Sequence, residues 1–154
     1  MLTAKDVMTT DVLTIESDVP LLRAAELMLE CGVNGFPITS REGTLVGVIG
    51  IKDVLRMPHR QAGRNYVIFY PGFERKARLM SELLVSEVMS TPVVAVSEDA
   101  TLGEVLAIVL HRGIHPVPVL RDGRLIGIIG RADLVRAMVD VAGSETTVPQ
   151  EPGS

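Results

Sequence analysis

The chain has 154 residues, of which 47% are hydrophobic, 22% charged and 3% aromatic, with a formal net charge of −4 at pH 7. This composition excludes a wholly disordered chain and a general nucleic-acid binder, and a chain of this length can form one ordinary domain or two half-size lobes. The apolar runs are too short for a membrane span, and with one cysteine and no metal-binding histidine spacing we expect a cytoplasmic protein without membrane attachment, internal disulfide or dedicated metal site.

The first predicted elements are a short strand over Leu13–Ile15 and a helix that ends at Gly32. Apolar residues recur in this helix at helical spacing, and Pro20 stands where its missing N–H costs nothing. Asp18 has the side chain of a good N-cap, so we expect it to cap the helix.

Two strands and a second helix follow. Phe36–Thr39 and Leu45–Gly50 are β-prone runs, joined by a segment with turn chemistry. Gly50 then opens a helix over Ile51–Met57 with Asp53 in its first turn. The order strand, helix, strand, strand, helix predicts an α+β (α/β layer) unit, with a short sheet covered by two helices.

A segment of unusual composition comes next, at residues 58–84. It holds four of the five aromatic residues: Tyr66, Phe69, Tyr70 and Phe73. Seven basic and two acidic residues lie between Lys52 and Arg78. The aromatic side chains would either cover a sheet edge or self-association surface, or stack on bases beside basic residues that hold phosphates. We expect the part of this segment from Pro58 to Arg78 to set ligand access or partner choice rather than to hold the fold together.

The remainder of the chain repeats the first part. Ala4–Ile15 aligns with Val85–Val96 at an offset of 81, and Gly43–Arg56 aligns with Gly123–Arg136 at an offset of 80. Because each repeat is too small for a secure core of its own, we expect the two to pack together about a pseudo-twofold axis. The predicted organisation is repeat 1 (1–57), an aromatic and basic excursion (58–84), repeat 2 (85–142) and a disordered tail (143–154).

In repeat 2 the same elements recur. Asp99 is the expected N-cap of a helix that ends at Gly113, and strands follow over Val117–Leu120 and Leu125–Gly130. A last helix is predicted over Arg131–Val139.

These repeated motifs resemble the cystathionine β-synthase (CBS) domain pair, or Bateman module. The motifs are Asp-Val-Met and Glu-Val-Met at the start of the repeats, Gly32–Ile38 and Gly113–Val119 in the middle, and Gly47–Asp53 and Gly127–Asp133 near the end. The resemblance covers Thr3–Met57 and Val85–Val139. It implies a non-catalytic regulatory module whose cleft between the repeats binds AMP, ADP, ATP or a related ligand such as S-adenosylmethionine. It further implies a homodimer that signals occupancy to an effector protein in trans.

The residues themselves suit a nucleotide. Asp53 and Asp133 each lie three residues past a glycine that ends a strand and opens a helix, where a carboxylate could accept hydrogen bonds from ribose hydroxyls. The alternative is that an aspartate here only favours the helix N-terminus. Many nucleotide-binding members of the family carry Thr or Ser where this chain has Gly50 and Gly130.

The resemblance also implies that each cleft takes its carboxylate from one repeat and part of its base-binding wall from the other. The Asp133 cleft is predicted to comprise Thr10, Leu13, Val33, Asn34, Gly35, His115, Ile128, Gly130, Arg131 and Asp133. The Asp53 cleft is predicted to comprise Thr91, Val94, Ile114, Pro116, Asn34, Val48, Gly50, Lys52 and Asp53.

We expect the Asp133 cleft to be the better site. Gly35 leaves room and a free N–H there, whereas Pro116 fills the corresponding space of the other cleft and has no N–H. In the Asp133 cleft His115 can donate a hydrogen bond to a phosphate oxygen, whereas the neutral Asn34 takes the corresponding position in the Asp53 cleft. The alternative is that His115 is a structural residue, as a lone histidine in an apolar stretch often is.

Two functions therefore remain open. One is a stand-alone sensor of an adenosyl ligand, and the other is an interaction or scaffold module that has lost ligand binding, which the absent hydroxyls at Gly50 and Gly130 would favour. An enzyme is not expected, because the sequence shows no nucleophile beside a base, no paired catalytic carboxylates and no P-loop. Apolar helix faces predict the homodimer independently of the family.

Overall fold

The computed structural model describes residues 1–57 and 72–146, which form two compact units. Unit 1 comprises Met1–Val12 and Val94–Ser154, and unit 2 comprises Leu13–Val93. Each unit holds one three-stranded sheet together with helices, which confirms the predicted α+β class.

The elements follow one another in the predicted order, with short helices added. In chain order they are α1 (Ala4–Val7), β1 (Ile15–Glu16), α2 (Leu21–Cys31), β2 (Gly35–Thr39), β3 (Leu45–Gly50), α3 (Ile51–Arg56), α4 (Phe73–Leu79), α5 (Val85–Val88), β4 (Val96–Ser97), α6 (Leu102–Arg112), β5 (Val117–Arg121), β6 (Arg124–Ile129) and α7 (Arg131–Thr146).

The two sheets have the same topology. In unit 2, β1 pairs in parallel with β2, which forms an antiparallel hairpin with β3. In unit 1, β4, β5 and β6 are joined in the same way. The hairpins place Gly50 and Ile129 opposite Gly35 and Val117, respectively, so the end of each last strand lies beside the start of the middle strand.

Each unit has its own apolar core. Unit 2 buries Ile15, Leu21, Ala24, Met28, Phe36, Ile38, Ile49, Met57, Val85 and Val88. Unit 1 buries Ala4, Val105, Val117, Val119, Ile129 and Leu134. The periodic positions of the helices and the paired positions of the strands supply these side chains.

Residues 1–12, at the start of repeat 1, belong to unit 1 together with most of repeat 2. Residues 85–93, at the start of repeat 2, belong to unit 2 together with most of repeat 1. We call these two stretches the leading segments. Ala4 donates its N–H to the carbonyl of Ala100 (2.8 Å), and Thr9 and Ile128 exchange backbone hydrogen bonds of 2.8 and 3.0 Å. The equivalent Val85 donates to Val19 (2.8 Å) in unit 2. The compact units therefore differ from the sequence repeats 1–57 and 85–142 at these leading segments.

Strand glycines accommodate the leading segments. A Cβ atom on Gly127 would lie 2.8 Å from Cγ of Met8 and 3.0 Å from the carbonyl oxygen of Thr9. A Cβ on Gly47 would lie 2.9 Å from Cγ of Met89. The methionine of each leading motif thus packs directly on a glycine of the last strand.

The predicted N-caps Asp18 and Asp99 are wrong. The N-cap residues are Pro20 for α2 and Thr101 for α6, whose hydroxyl accepts the Glu104 N–H at 3.2 Å. Asp18 instead accepts hydrogen bonds from Arg41 (2.7 and 3.0 Å), and this pairing lowers the pKa of Asp18 below its usual value. The helices begin two residues later than a cap at Asp18 or Asp99 requires.

The excursion and the tail differ partly from expectation. Phe73 begins α4 and is exposed, while Tyr66, Phe69 and Tyr70 lie outside the described residues. Helix α7 continues past the predicted tail boundary at residue 143 to Thr146. In its last turn the Ser144 hydroxyl donates to the Val141 carbonyl at 2.9 Å.

No helix within residues 1–57 and 72–146 is long and apolar enough to cross a membrane.

Candidate functional site

The Asp53 carboxylate is held at the start of α3 in unit 2. Its Oδ2 accepts the Gly50 N–H at 2.8 Å, and its Oδ1 accepts the Ser90 hydroxyl at 2.9 Å. Asn34 lies next to this turn, since its carbonyl accepts the Ile51 N–H at 3.0 Å. The carboxylate therefore closes the strand-to-helix turn and fixes the leading segment of repeat 2.

Asp133 has the same arrangement at the start of α7 in unit 1. Its Oδ2 accepts the Gly130 N–H at 2.8 Å, and its Oδ1 accepts the Thr9 hydroxyl at 3.2 Å. A third donor is present here, because Arg136 Nη1 lies 3.0 Å from Oδ1. The Asp133 side chain is only 11% exposed, whereas that of Arg136 is 69% exposed. An ion pair to such an exposed arginine is worth at most about 1 kcal/mol and can open at little cost.

This geometry bears on the alternative considered for the two aspartates. Each carboxylate does support a helix N-terminus, because it accepts the N–H of the N-cap glycine. Carboxylate oxygens have about four acceptor sites, and the backbone and hydroxyl donors occupy two of them. Capping the helix and accepting ribose hydroxyls are therefore compatible.

Sequence reasoning missed the hydroxyls of Thr9 and Ser90. It chose the next residues, Thr10 and Thr91, as site candidates. The signal was present, because the repeats read Met-Thr-Thr and Met-Ser-Thr, with hydroxyl residues at both aligned positions. The backbone pairing of Thr9 with Ile128 and of Ser90 with Val48 fixes which hydroxyl reaches the carboxylate.

Residues other than glycine would fit at positions 50 and 130. Gly50 has φ −126° and ψ 173°, an extended conformation that any residue adopts. A Cβ at Gly130 would lie 3.6 Å from Asp133 Oδ2, which is ordinary contact. The missing hydroxyls at these positions are thus a chemical difference rather than a steric necessity.

Most of the predicted site residues share a unit with their carboxylate. Unit 1 holds Asp133 with Thr10, His115, Ile128, Gly130 and Arg131, and unit 2 holds Asp53 with Asn34, Val48, Gly50, Lys52 and Thr91. Six others belong to the unit opposite the carboxylate to which they were assigned: Leu13, Val33 and Gly35 for Asp133, and Val94, Ile114 and Pro116 for Asp53. Their part in either site stays a prediction, as does that of Asn34 in the Asp133 cleft.

The local charge suits an anionic ligand near the carboxylates. Lys52 and Arg131 are exposed in the first turns of α3 and α7, and the N-terminus of the 16-residue α7 carries a partial positive charge. Among the residues that the structure describes, no three His, Cys, Asp or Glu side chains are grouped as metal ligands. The groups present can orient a sugar and attract phosphates.

Comparison with protein families gives one match. The family model described as "CBS domain" matches residues 4–60 and 85–140, which together are more than half of the chain.

Two curated proteins illustrate the relatives. CBS domain-containing protein YhcV of Bacillus subtilis is 28% identical over 134 residues, which cover 87% of this chain and 84% of YhcV. The chloroplastic CBS domain-containing protein CBSX1 of Arabidopsis thaliana is 29% identical over 133 residues. That match covers 79% of this chain but 56% of CBSX1, so the chain spans about half the length of this relative.

Solved structures have the same fold. CBSX2 in complex with AMP superposes with a TM-score of 0.72 at 26% identity, covering 92% of this chain and 99% of that one. The CBS domain pair of protein MJ0100, in complex with 5′-methylthioadenosine and S-adenosyl-L-methionine, superposes with a TM-score of 0.69 at 22% identity, covering 92% of this chain and 98% of that one. The latter likeness shows the fold alone.

Proposed function

Because the chain belongs to the CBS domain family, a family of regulatory modules, we propose that it is a non-catalytic sensor of an adenine nucleotide or related adenosyl compound. In this proposal the ligand binds at the aspartates that follow the last strand of each unit, and its occupancy is signalled to a partner protein. We place the protein in the cytoplasm as part of the same proposal, although the relative CBSX1 is chloroplastic.

One observation carries the proposal. In both units a carboxylate stands at a strand-to-helix turn, with a hydroxyl from a distant segment bound to its Oδ1. The carboxylate can accept ribose hydroxyls, and the helix N-terminus with its neighbouring lysine or arginine favours phosphate oxygens. CBSX2, which binds AMP, has this fold at 26% identity.

The chemistry of the site argues for a ligand with a ribose. An ionised carboxylate accepts hydrogen bonds and donates none, so it favours ligand groups that donate, and the two vicinal hydroxyls of a ribose are donors. AMP, ADP, ATP and S-adenosylmethionine all have these two ribose hydroxyls. They differ in the charge of the group attached to the ribose, which would lie near Arg131 and the N-terminus of α7.

A second candidate function has its own supporting observation. The Asp133 carboxylate is satisfied within the protein by the Gly130 N–H, the Thr9 hydroxyl and Arg136, and neither glycine supplies the hydroxyl common in nucleotide-binding relatives. An interaction or scaffold module without ligand would look the same.

Thermal melting in the presence of candidate ligands distinguishes these functions. A ligand that binds only the folded state stabilises it by about 2.7 kcal/mol at one hundred times its Kd, so the melting temperature must rise. We expect a rise with at least one of AMP, ADP, ATP and S-adenosylmethionine, and none with inorganic phosphate at equal concentration. If no adenosyl compound changes the melting temperature, the scaffold function replaces the sensor.

A further inference from the structure

Helices α3 and α4 of unit 2 bring basic side chains to one surface. Lys76 of α4 donates from its Nζ to the carbonyl oxygens of Leu55 and, at 3.4 Å, of Arg56, which are the last two residues of α3. An ammonium group is favourable at the C-terminal end of a helix, because the last carbonyl groups have no partner within the helix. This contact therefore holds α4 beside the end of α3.

The contact leaves three arginines around one place on the surface. Arg56 ends α3, and Arg75 and Arg78 lie on α4, on either side of Lys76 in sequence. Because Arg75 and Arg78 are three residues apart, they are neighbours on one face of the helix. All three arginines are exposed. We call Arg56, Arg75 and Arg78 the arginine surface.

Carboxylates of the protein do not neutralise the arginine surface. Within residues 1–57 and 72–146, none of its guanidinium groups forms an ion pair or a side-chain hydrogen bond. Glu74 is the one acidic residue in the sequence between Arg56 and Arg78. Like charges at neighbouring positions of a helix destabilise it, so the arrangement has a cost that carboxylates from outside would relieve.

The two repeats differ in charge at this point of the chain. Arg136, which corresponds to Arg56 at the repeat offset, lies 3.0 Å from Asp133 Oδ1. The sequence that follows Arg136 contains three acidic residues and no basic residue, whereas the sequence from Arg56 to Arg78 contains six basic residues and one acidic residue. The Arg136 guanidinium is thus held by a carboxylate of its own unit, and that of Arg56 faces solvent.

Charge complementarity indicates the class of partner. Guanidinium groups bind carboxylates through paired hydrogen bonds, and arginine is enriched in protein–protein interfaces. Outside residues 52–78 the chain holds 8 basic and 17 acidic residues, a net charge of −9, which would repel a long polyanion. Phe73 lies two residues before Arg75 on α4 and so faces another side of the helix, where it cannot stack bases beside the arginines. A short acidic protein segment fits these observations better than a nucleic acid.

We propose that the arginine surface binds an acidic segment of a partner protein. Carboxylates of this segment pair with Arg56, Arg75 and Arg78, and Lys76 holds the two helices together so that the three guanidinium groups act on one segment. The inference does not depend on nucleotide binding, since none of the three arginines belongs to the predicted ligand site.

A synthetic acidic peptide provides the probe. A short, fluorescently labelled peptide of alternating glutamate and serine is titrated with the full-length protein in the absence of nucleotide, and binding is followed by fluorescence anisotropy. We expect saturable binding below about 1 mM protein at about 50 mM salt, and binding at least about tenfold weaker at about 500 mM salt, where exposed charges are screened. A peptide with glutamine in place of each glutamate should not bind.

Protein variants locate the binding. Arg75→Glu combined with Arg78→Glu should weaken binding of the acidic peptide about tenfold or more. Arg112→Glu combined with Arg124→Glu is the matched control, because it changes the net charge by the same amount at two exposed arginines of unit 1. Arg75→Gln combined with Arg78→Gln removes the two charges without adding new ones and should also weaken binding. Melting curves confirm that each variant is folded.

The outcomes separate an acidic protein segment from other partners. Absence of saturable binding, or equal binding by the Arg75→Glu, Arg78→Glu variant and its control, overturns the proposal. Tighter binding of a short single-stranded oligothymidylate than of the acidic peptide, at the same salt concentration, also overturns it and assigns the surface to nucleic acid. The proposal is overturned as well if Arg75→Glu with Arg78→Glu lowers the mass in sedimentation, because acidic side chains of a second copy then occupy the surface.

Discussion

At the scale of single residues, Asp133 and Asp53 each serve the fold before any ligand arrives. The carboxylate accepts the N–H of the preceding glycine and a hydroxyl from a segment far away in sequence. Both hydrogen bonds are lost when the carboxylate is removed, so these residues contribute to stability as well as to the proposed binding.

The first prediction compares the two aspartates. Asp133→Ala and Asp53→Ala should each reduce the free energy of unfolding by about 1 kcal/mol, through loss of the cap. Asp133→Ala should weaken nucleotide binding by roughly one to two decades, and Asp53→Ala by less. Calorimetric titration of both variants, with Asp140→Ala as an exposed control on α7, measures the difference. Equal losses, or a larger loss from Asp53→Ala, would reverse the ranking of the sites.

The second prediction restores the missing hydroxyl. Gly130→Ser should fold normally, because a Cβ there meets only ordinary contact and serine is a favoured N-cap residue. One added neutral hydrogen bond should strengthen nucleotide binding about twofold to tenfold. Gly130→Ala, which adds the Cβ without the hydroxyl, is the control in the same titration. A gain that alanine reproduces would mean that the hydroxyl does not contact the ligand.

At the scale of elements, each leading segment packs a methionine side chain against a glycine of the last strand of its unit: Met8 against Gly127 and Met89 against Gly47. The third prediction is that Gly127→Ala costs about 1–3 kcal/mol, whereas Gly47→Ala costs less. The reason is that a Cβ on Gly127 meets the Thr9 backbone as well as Met8, whereas on Gly47 it meets only the flexible Met89 side chain. Thermal unfolding of both variants gives the order, with Gly103→Ala as an unhindered control. A Gly47→Ala variant that melts lower than Gly127→Ala would contradict this explanation.

Sequence predicted the elements that have periodic or paired apolar residues. Helix α2 is correct to within a residue or two because its apolar side chains recur at helical spacing. The hairpin of β2 and β3 is correct to the same degree because two β-prone runs flank a segment with turn chemistry. Helices α1 and α5 were missed, since four residues are too few to show a helical period.

Sequence predicted the two carboxylates of the site but not their hydroxyl partners. A glycine followed three residues later by aspartate is a local pattern, and it led to both carboxylates. The hydroxyl partners lie 124 and 37 residues away in sequence from Asp133 and Asp53. The repeated hydroxyl residues mark the two segments, but no local pattern shows which hydroxyl reaches the carboxylate, because that depends on the backbone pairing of Thr9 with Ile128 and of Ser90 with Val48.

At the scale of the whole molecule, exposed apolar residues recur at equivalent positions of the two units. Leu29 and Leu110 are 83% and 68% exposed, and Leu55 and Val135 are 67% and 57% exposed. Each pair is related by the repeat offset. Each unit therefore exposes apolar side chains at the same helix positions, and a twofold interface between copies would bury such side chains.

The fourth prediction is therefore a homodimer. Sedimentation should show twice the 16.6 kDa chain mass at tens of micromolar protein, and Leu55→Asp combined with Val135→Asp should give the monomer. Asp140→Ala, an exposed substitution on α7 that removes no apolar side chain, should leave the dimer intact. A monomer in the unaltered protein at that concentration would reject the prediction.

The exchange of leading segments also sets an order of events on the ribosome. Unit 2 is continuous from Leu13 to Val93, so all of it is available once Val93 has emerged. Unit 1 needs Met1–Val12, which is synthesised first, together with Val94 onwards, which is synthesised last. Ala4 and Met8 must therefore wait in the nascent chain without their partners, and the Asp53 cluster can form before the Asp133 cluster. Translation from the N-terminus thus makes the discontinuous unit the last to be completed, and a chain from which Val93 has emerged holds every residue of the Asp53 cluster.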